Sequence, residues 1–258
     1  MSTWTPAALA PRPGAAPTAR MLGAQTRAEL TLLLRNGEQL LLTLVIPLGL
    51  LVVLTKVDVV NVPGGRDRAG FFVPGVIALA VMSTAFTGQA IGVGFERQYG
   101  VLKRLGATAL PRSVLLGAKT LAVLAVEVLQ LVLIAGFGRL LGWHPHGSIA
   151  AVLLLVVLGT AAFSGLGLLL GGTLRGLTTL AAANLLWFVL LVLGGVLFPL
   201  SHFGGAEPVL RLLPTAALSD GLRSVSQDGH GLPGRDVAAL VVWSAAGLGA
   251  ASRFFRWE

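Results

Sequence analysis

Three polar side chains stand where the surrounding chain makes polarity costly. Glu127 and Gln130 fall inside a long apolar run that begins at Val114, and Asn184 interrupts another. Counted from Val114, Glu127 lies ~20 Å along a helix, past the middle of a ~30 Å hydrocarbon core. A charge at that depth costs at least ~2.5–3.5 kcal/mol. The carboxyl must therefore be protonated, paired or turned toward a hydrated cavity. Either Glu127, with Gln130 and Asn184, lines a transport path that favours cationic or polar substrates, or it bonds to a neighbouring helix, for which Asn184 is one candidate. Lys119 shares the helix but is ~12 Å away along the axis, too far for a direct pair.

The second polar group has the chemistry of binding. Phe95–Arg112 gathers Glu96, Arg97, Lys103, Arg104 and Arg112 between two apolar runs, with Tyr99 and Gly100 at the turn. Val101, Leu102 and Leu105 alternate with the charges at helical spacing and predict a short amphipathic helix over Tyr99–Gly106. Leu102 and Leu105 are expected to fill an apolar groove on a cytosolic partner, with Glu96, Lys103 and Arg104 making charged contacts around it.

Catalytic patterns are missing. Gly117-Ala118-Lys119-Thr120 has neither the length nor the leading glycine of a phosphate-cradling loop. His144-Pro145-His146 has no third ligand nearby, and no metal site is expected. Gly92-Val93-Gly94 lacks a third glycine and ends an apolar run instead of following a strand. Ser164, in Phe-Ser-Gly-Leu-Gly, lacks the glycine before a nucleophile elbow.

The elements that must position these groups are membrane spans. Of 258 residues, 55% are hydrophobic and only 12% charged, against about 25% charged in soluble domains. Several charge-free runs approach the ~20 residues that cross a bilayer. They predict an all-α polytopic membrane protein with six spans at about 40–55, 71–95, 114–138, 149–172, 177–200 and 237–252. The first is short and contains Pro47. Gly88 and Gly92 in the second, and Gly167 and Gly171 in the fourth, are spaced for close helix approach. Residues 1–19, rich in Pro, Ala and Thr, are expected to be a disordered cytosolic tail. Arg20, Arg27 and Arg35 share a stripe opposite Leu22, Thr26, Leu30 and Leu33, which predicts an amphipathic helix lying in the membrane interface. Within 201–233, Pro208–Val225 keeps helical spacing and predicts two short helices that dip into the outer leaflet or lie on it.

There is no cysteine, so disulfides are excluded. The net charge of +8 is spread over the ends of the apolar runs, so membrane sidedness explains it better than nucleic-acid binding does. With both termini cytosolic, 12 of the 19 Lys and Arg fall on the inner segments, which favours that orientation.

Glu96-Arg97-Gln98-Tyr99-Gly100-Val101-Leu102-Lys103-Arg104-Leu105, followed by Ala107-Thr108-Ala109-Leu110-Pro111-Arg112, resembles the first cytosolic loop of ABC-2-type ABC exporter permeases. The daunorubicin-permease type of drug and natural-product exporters is the nearest group, with a pattern of roughly E-R-E-x-G-T-L-x-x-L-x-x-T-P-L-P-R. Gln98, Val101 and Ala109 depart from it and the spacing is kept. The amphipathic helix is similar to the family's N-terminal elbow helix, and the helices before the sixth span are similar to its re-entrant pair. With the six spans, the resemblance covers residues 20–258.

The resemblance implies a plasma-membrane permease subunit that does no covalent chemistry and binds no cofactor. ATP and Mg would sit on a separate ATPase subunit, in two copies beneath a permease homodimer embedded in lipid. The elbow helix and Glu96, Arg97, Tyr99, Gly100, Leu102, Lys103, Arg104 and Leu105 would dock on the ATPases. The cargo would be a hydrophobic or amphipathic compound leaving the cell: a drug, a natural product or a lipid-linked glycan. The alternative is a secondary transporter driven by an ion gradient. It would want several intramembrane carboxylates or inverted repeats; Glu127 alone qualifies, and residues 40–138 and 149–252 do not repeat one another.

Overall fold

The computed structural model describes residues 14–57, 67–227 and 231–256. Among these the chain is all-helical, because lipid requires each backbone polar group to be satisfied within its own segment. Helix α1 spans Thr18–Arg35 and α2 spans Gly37–Lys56. Helix α3 runs unbroken over Arg68–Gln98 and contains a π-helical segment, Met82–Gly88. There follow α4 (Val101–Gly106), α5 (Arg112–Leu140), α6 (Ile149–Thr173) and α7 (Gly176–Leu193). A 3₁₀ turn, Leu200–Ala206, leads into α8 (Glu207–Leu210), α9 (Pro214–Ser226) and α10 (Gly234–Phe254).

Helices α3, α5, α6, α7 and α10 are long and apolar enough to cross a membrane, and α2 adds a shorter apolar stretch, Thr43–Lys56. Helices stand where the second, third, fourth and sixth spans are expected, and they extend by up to three residues beyond the expected ends. Exposed Arg112 and Arg253 carry helix ends outward, since a long side chain reaches water while its stem stays in apolar surroundings, whereas half-buried Arg68 donates to Leu54 O at 2.8 Å and to Val57 O at the end of α2. The fifth span is a correction: expected to Leu200, the helix stops at Leu193. Gly194 caps it and Gly195 takes φ +70°, a left-handed turn that costs glycine nothing. Of the expected tail, residues 1–13 lie outside the described residues, as do 58–66 of the loop after α2.

Helix α3 is the hub. Its apolar window is 94% buried, against 22% for α7 and 17% for α10. Helix α6 packs onto it closely because Gly167 and Gly171 have no side chain. A Cβ on them would stand 2.6 Å from Phe86 O and 2.5 Å from Ala90 O. The other expected glycine pair serves differently, since Gly92 has nothing within 4 Å of a Cβ position and borders a cleft.

The two short helices before α10 are present, and α9 is buried among α3, α6 and α10 and does not lie on the surface. Arg223 fixes it. Its guanidinium donates to Phe71 O (3.1 Å), Val196 O (3.3 Å) and Asp220 (3.1 Å), and lies 3.9 Å from the centre of the Phe71 ring.

Candidate functional site

Three elements meet around one ammonium group. Lys119 lies seven residues into α5, ~10 Å from its start, and is buried. Its Nζ is 2.9 Å from the Glu29 carboxylate on α1 and 2.8 Å from the Glu96 carboxylate at the end of α3. Gln25, one turn before Glu29, donates to its other oxygen at 2.8 Å. The amphipathic stripe of α1 explains the geometry. Leu22, Thr26, Leu30 and Leu33 face inward while Arg20, Arg27 and Arg35 stay exposed, and Glu29 belongs to the inward face. A cleft of about 380 Å³ opens beside the cluster, bordered by Glu29, Leu33, Asn36, Gly92, Phe95 and Glu96 among others.

Just beyond Glu96 the expected short amphipathic helix forms, over Val101–Gly106 where Tyr99–Gly106 was expected. Tyr99 ends α3, Gly100 takes φ +71°, and α4 begins at Val101. This left-handed glycine is a common helix stop. The Tyr99 ring stacks on Phe95 at 6.1 Å and is 68% exposed. Leu102, expected to enter a partner's groove, is instead wholly buried in its own chain, clustered with Val93, Leu115, Leu116, Leu168 and Phe255. Leu105 is half-buried against the same cluster. A short amphipathic helix must satisfy its apolar face somewhere, and here the bundle supplies the cover. The outward face carries Tyr99, Val101, Lys103 and Arg104. Arg97 donates to Leu174 O, just after α6, at 3.1 Å.

The mid-membrane groups do not gather into one site. Glu127 is 1% exposed and shares a hydrogen bond with Thr160 of α6. Its other oxygen has no hydrogen-bond partner among the described residues. The Thr160 hydroxyl also lies 2.8 Å from Val156 O. A threonine has one hydrogen to give; if Val156 takes it, the carboxyl must supply the other. Asn184 is on the exposed side of α7, so it is not the partner of Glu127. Gln130 belongs to a separate network, donating to Thr43 O (3.0 Å) and to Thr84 Oγ1 (3.0 Å) in the π segment. The same region of α3 receives the Trp187 indole at Ser83 (2.9 Å) and sends Gln89 to Ser164 (2.9 Å). Ser164 thus has a structural bond.

Sequence reasoning missed Glu29 and the pairing of Lys119. A carboxylate on the inward stripe of α1 and a lysine inside an apolar run were the available signals.

A family model described as "ABC-2 family transporter protein" matches residues 41–252, which takes in α2 to nearly the end of α10 and leaves α1, with Glu29, outside. The putative transport permease YvfS of Bacillus subtilis (strain 168) is 27% identical over 183 residues, covering 68% of this chain and 72% of that one.

Proposed function

The chain belongs to the ABC-2 family of transporter proteins, and from that premise we propose that it exports a hydrophobic or amphipathic compound from the cell. It is a multi-pass membrane permease, itself non-catalytic, of a family whose permeases pair with separate ABC ATPase subunits. In the proposed assembly two copies stand on two ATPases, with both termini cytosolic.

The observation that carries this reading is the Lys119 cluster. ATP-driven transport needs a rigid link between the surface an ATPase pushes and the spans that must move. Glu96 is five residues before α4, Glu29 is on the elbow helix α1, and Lys119 is on α5. One ammonium holds all three elements in register. Buried ion pairs add little net stability, and their best-attested use is fixing one arrangement over others. A push on α1, or on Tyr99, Val101, Lys103 and Arg104 around α4, therefore moves α5.

Inside-out vesicles holding the permease and its ATPase are expected to accumulate a fluorescent amphipathic compound only with ATP. Accumulation that ignores ATP and follows a proton or sodium gradient would instead establish the secondary-transporter reading. Orientation has its own test. A single cysteine placed at Thr108 should resist an impermeant thiol reagent in intact cells, while one at His144 should react.

A further inference from the structure

Helix α7 is held along one side. Thr179 and Ala183 are buried on its inner face, and a Cβ on Gly94 of α3 would stand 3.0 Å from Thr179. One turn beyond Ala183, the Trp187 indole donates to Ser83 of α3 at 2.9 Å. These contacts fix the rotation of α7. Leu177, Ala181, Asn184, Leu185 and Phe188 are left exposed on its other side, at spacings of 4, 3, 1 and 3 residues that make one continuous helical stripe. Only 22% of the apolar window of α7 is buried.

Asn184 is out of place on a face turned toward lipid. It lies eight residues into α7, ~12 Å from its start, and so near the middle of a ~30 Å hydrocarbon core. Its side-chain amide has two hydrogens to give and an oxygen to accept, and it makes no hydrogen bond with the described residues. The other outward faces differ. Away from the helix ends, the exposed residues of α2, α5, α6 and α10 are apolar or glycine among the described residues. Hydrocarbon satisfies those faces and cannot satisfy this one.

A side-chain amide both donates and accepts, so it is its own complement. Two copies of α7 related by a two-fold axis set Asn184 of one copy against Asn184 of the other, each able to donate to its twin. Ala181, one turn before, is small enough to let the two backbones approach. Leu177, Leu185 and Phe188 then shield the amides from lipid. We propose that two copies of this chain meet along the exposed stripe of α7, with reciprocal Asn184 hydrogen bonds at the axis. The pairing rests on the two-copy assembly proposed above and names the surface by which the copies join.

The chain has no cysteine, so a single introduced thiol reports on one position. In membranes holding the full chain, Ala181→Cys and Phe188→Cys should form disulfides that join two copies when oxidised with copper phenanthroline. Val132→Cys on α5 and Val242→Cys on α10, at positions 64% and 65% exposed, should not. In liposomes, energy transfer between labelled copies should show Asn184→Leu pairing more weakly by roughly threefold to twentyfold, the span of one interhelical hydrogen bond. Asn184→Gln, which keeps the amide, should lose less. The unfolding temperature of Asn184→Leu in dilute detergent should match the parent's, because the stripe is not part of the bundle's own core.

Disulfides that form as readily at Val132 or Val242 as at Phe188 would overturn the interface. So would a disulfide from Phe188→Cys to a protein of another size, or an Asn184→Leu protein that pairs as the parent does; if that protein also loses uptake, Asn184 belongs to the cargo path. ATP-driven uptake without α7 disulfides would remove the interface and leave the export reading standing. Disulfides through α7 with uptake that ignores ATP would do the reverse.

Discussion

Two regions of this bundle bury acids, and they solve the problem in opposite ways. At the end of α3 that leads into α4, Glu29 and Glu96 share one lysine at 2.8–2.9 Å, beside an open cleft. In the middle of α5, Glu127 has only the Thr160 hydroxyl and is closed off from solvent. The first arrangement keeps charges in place and ties three elements together through them. The second is local, joining α5 to α6 with no cation near among the described residues. A buried charge works as a mechanical link only where its counter-charge comes from another moving part, and that condition is met at Lys119 alone of the two.

Removing the link should give the largest effect. Lys119→Met leaves two carboxylates in a confined space without a cation, a change that costs ~3–5 kcal/mol in a fully buried pair. The Glu96 side chain keeps 26% of its exposure, which places the expectation near the lower end, about 3 kcal/mol. The variant should unfold at lower temperature in detergent and lose substrate-stimulated ATP hydrolysis. Adding Glu29→Gln and Glu96→Gln removes the stranded charge, so stability should return while coupling stays lost. A Lys119→Met protein with parental unfolding temperature and stimulated hydrolysis would end the link.

The next effect separates the two faces of α4. Leu102→Asp puts a carboxylate into the cluster around Phe255 and Leu168, and burying an unpaired polar group costs several kcal/mol. The permease alone, without ATPase, should lose folded yield. Tyr99→Ala removes an exposed ring and leaves that cluster untouched. It should keep the parent's unfolding temperature and weaken ATPase co-purification several-fold. If Leu102→Asp folds normally and fails only at ATPase binding, α4 turns its leucines outward in the assembled transporter.

These contrasts also mark what the sequence makes legible. The spans follow from charge-free runs whose length the bilayer dictates, and α4 follows from leucine spacing after Gly100, since both are local properties. The end of α7 escapes hydropathy because Val192 to Phe198 is uniformly Gly and apolar residues; only the positive φ at Gly195 breaks the helix. The Lys119 cluster joins residues 23 and 90 positions apart. Its existence depends on how α1 is rotated against α5, which no single-helix pattern determines. Glu96 illustrates the consequence. Its position beside the loop suggested a contact with a partner, and it is spent on a contact within the chain.

The smallest expected effect is at Glu127. A glutamine there has the same shape and can donate one hydrogen bond and accept another, so it can satisfy Thr160 whichever group held the proton. With no cation near Glu127 in the described residues, no charge is stranded when the carboxyl is removed. Glu127→Gln should shift stability by less than about 1 kcal/mol, within the range of one neutral hydrogen bond. Thr160→Val should cost more, because it strands the carboxyl with no hydroxyl at all, at about 1–3 kcal/mol. Transport separates the two roles that the sequence left open. If Glu127 only joins α5 to α6, Glu127→Gln moves a cationic amphipathic dye as the parent does from pH 6 to pH 8. If it lines the path, the variant loses cation uptake at the alkaline end of that range, where a carboxylate would be charged, and keeps a neutral dye. The burial of Glu127 against Thr160 supports the first outcome. Loss of the cationic dye alone would place the path between α5 and α6 and reverse the comparison with Lys119.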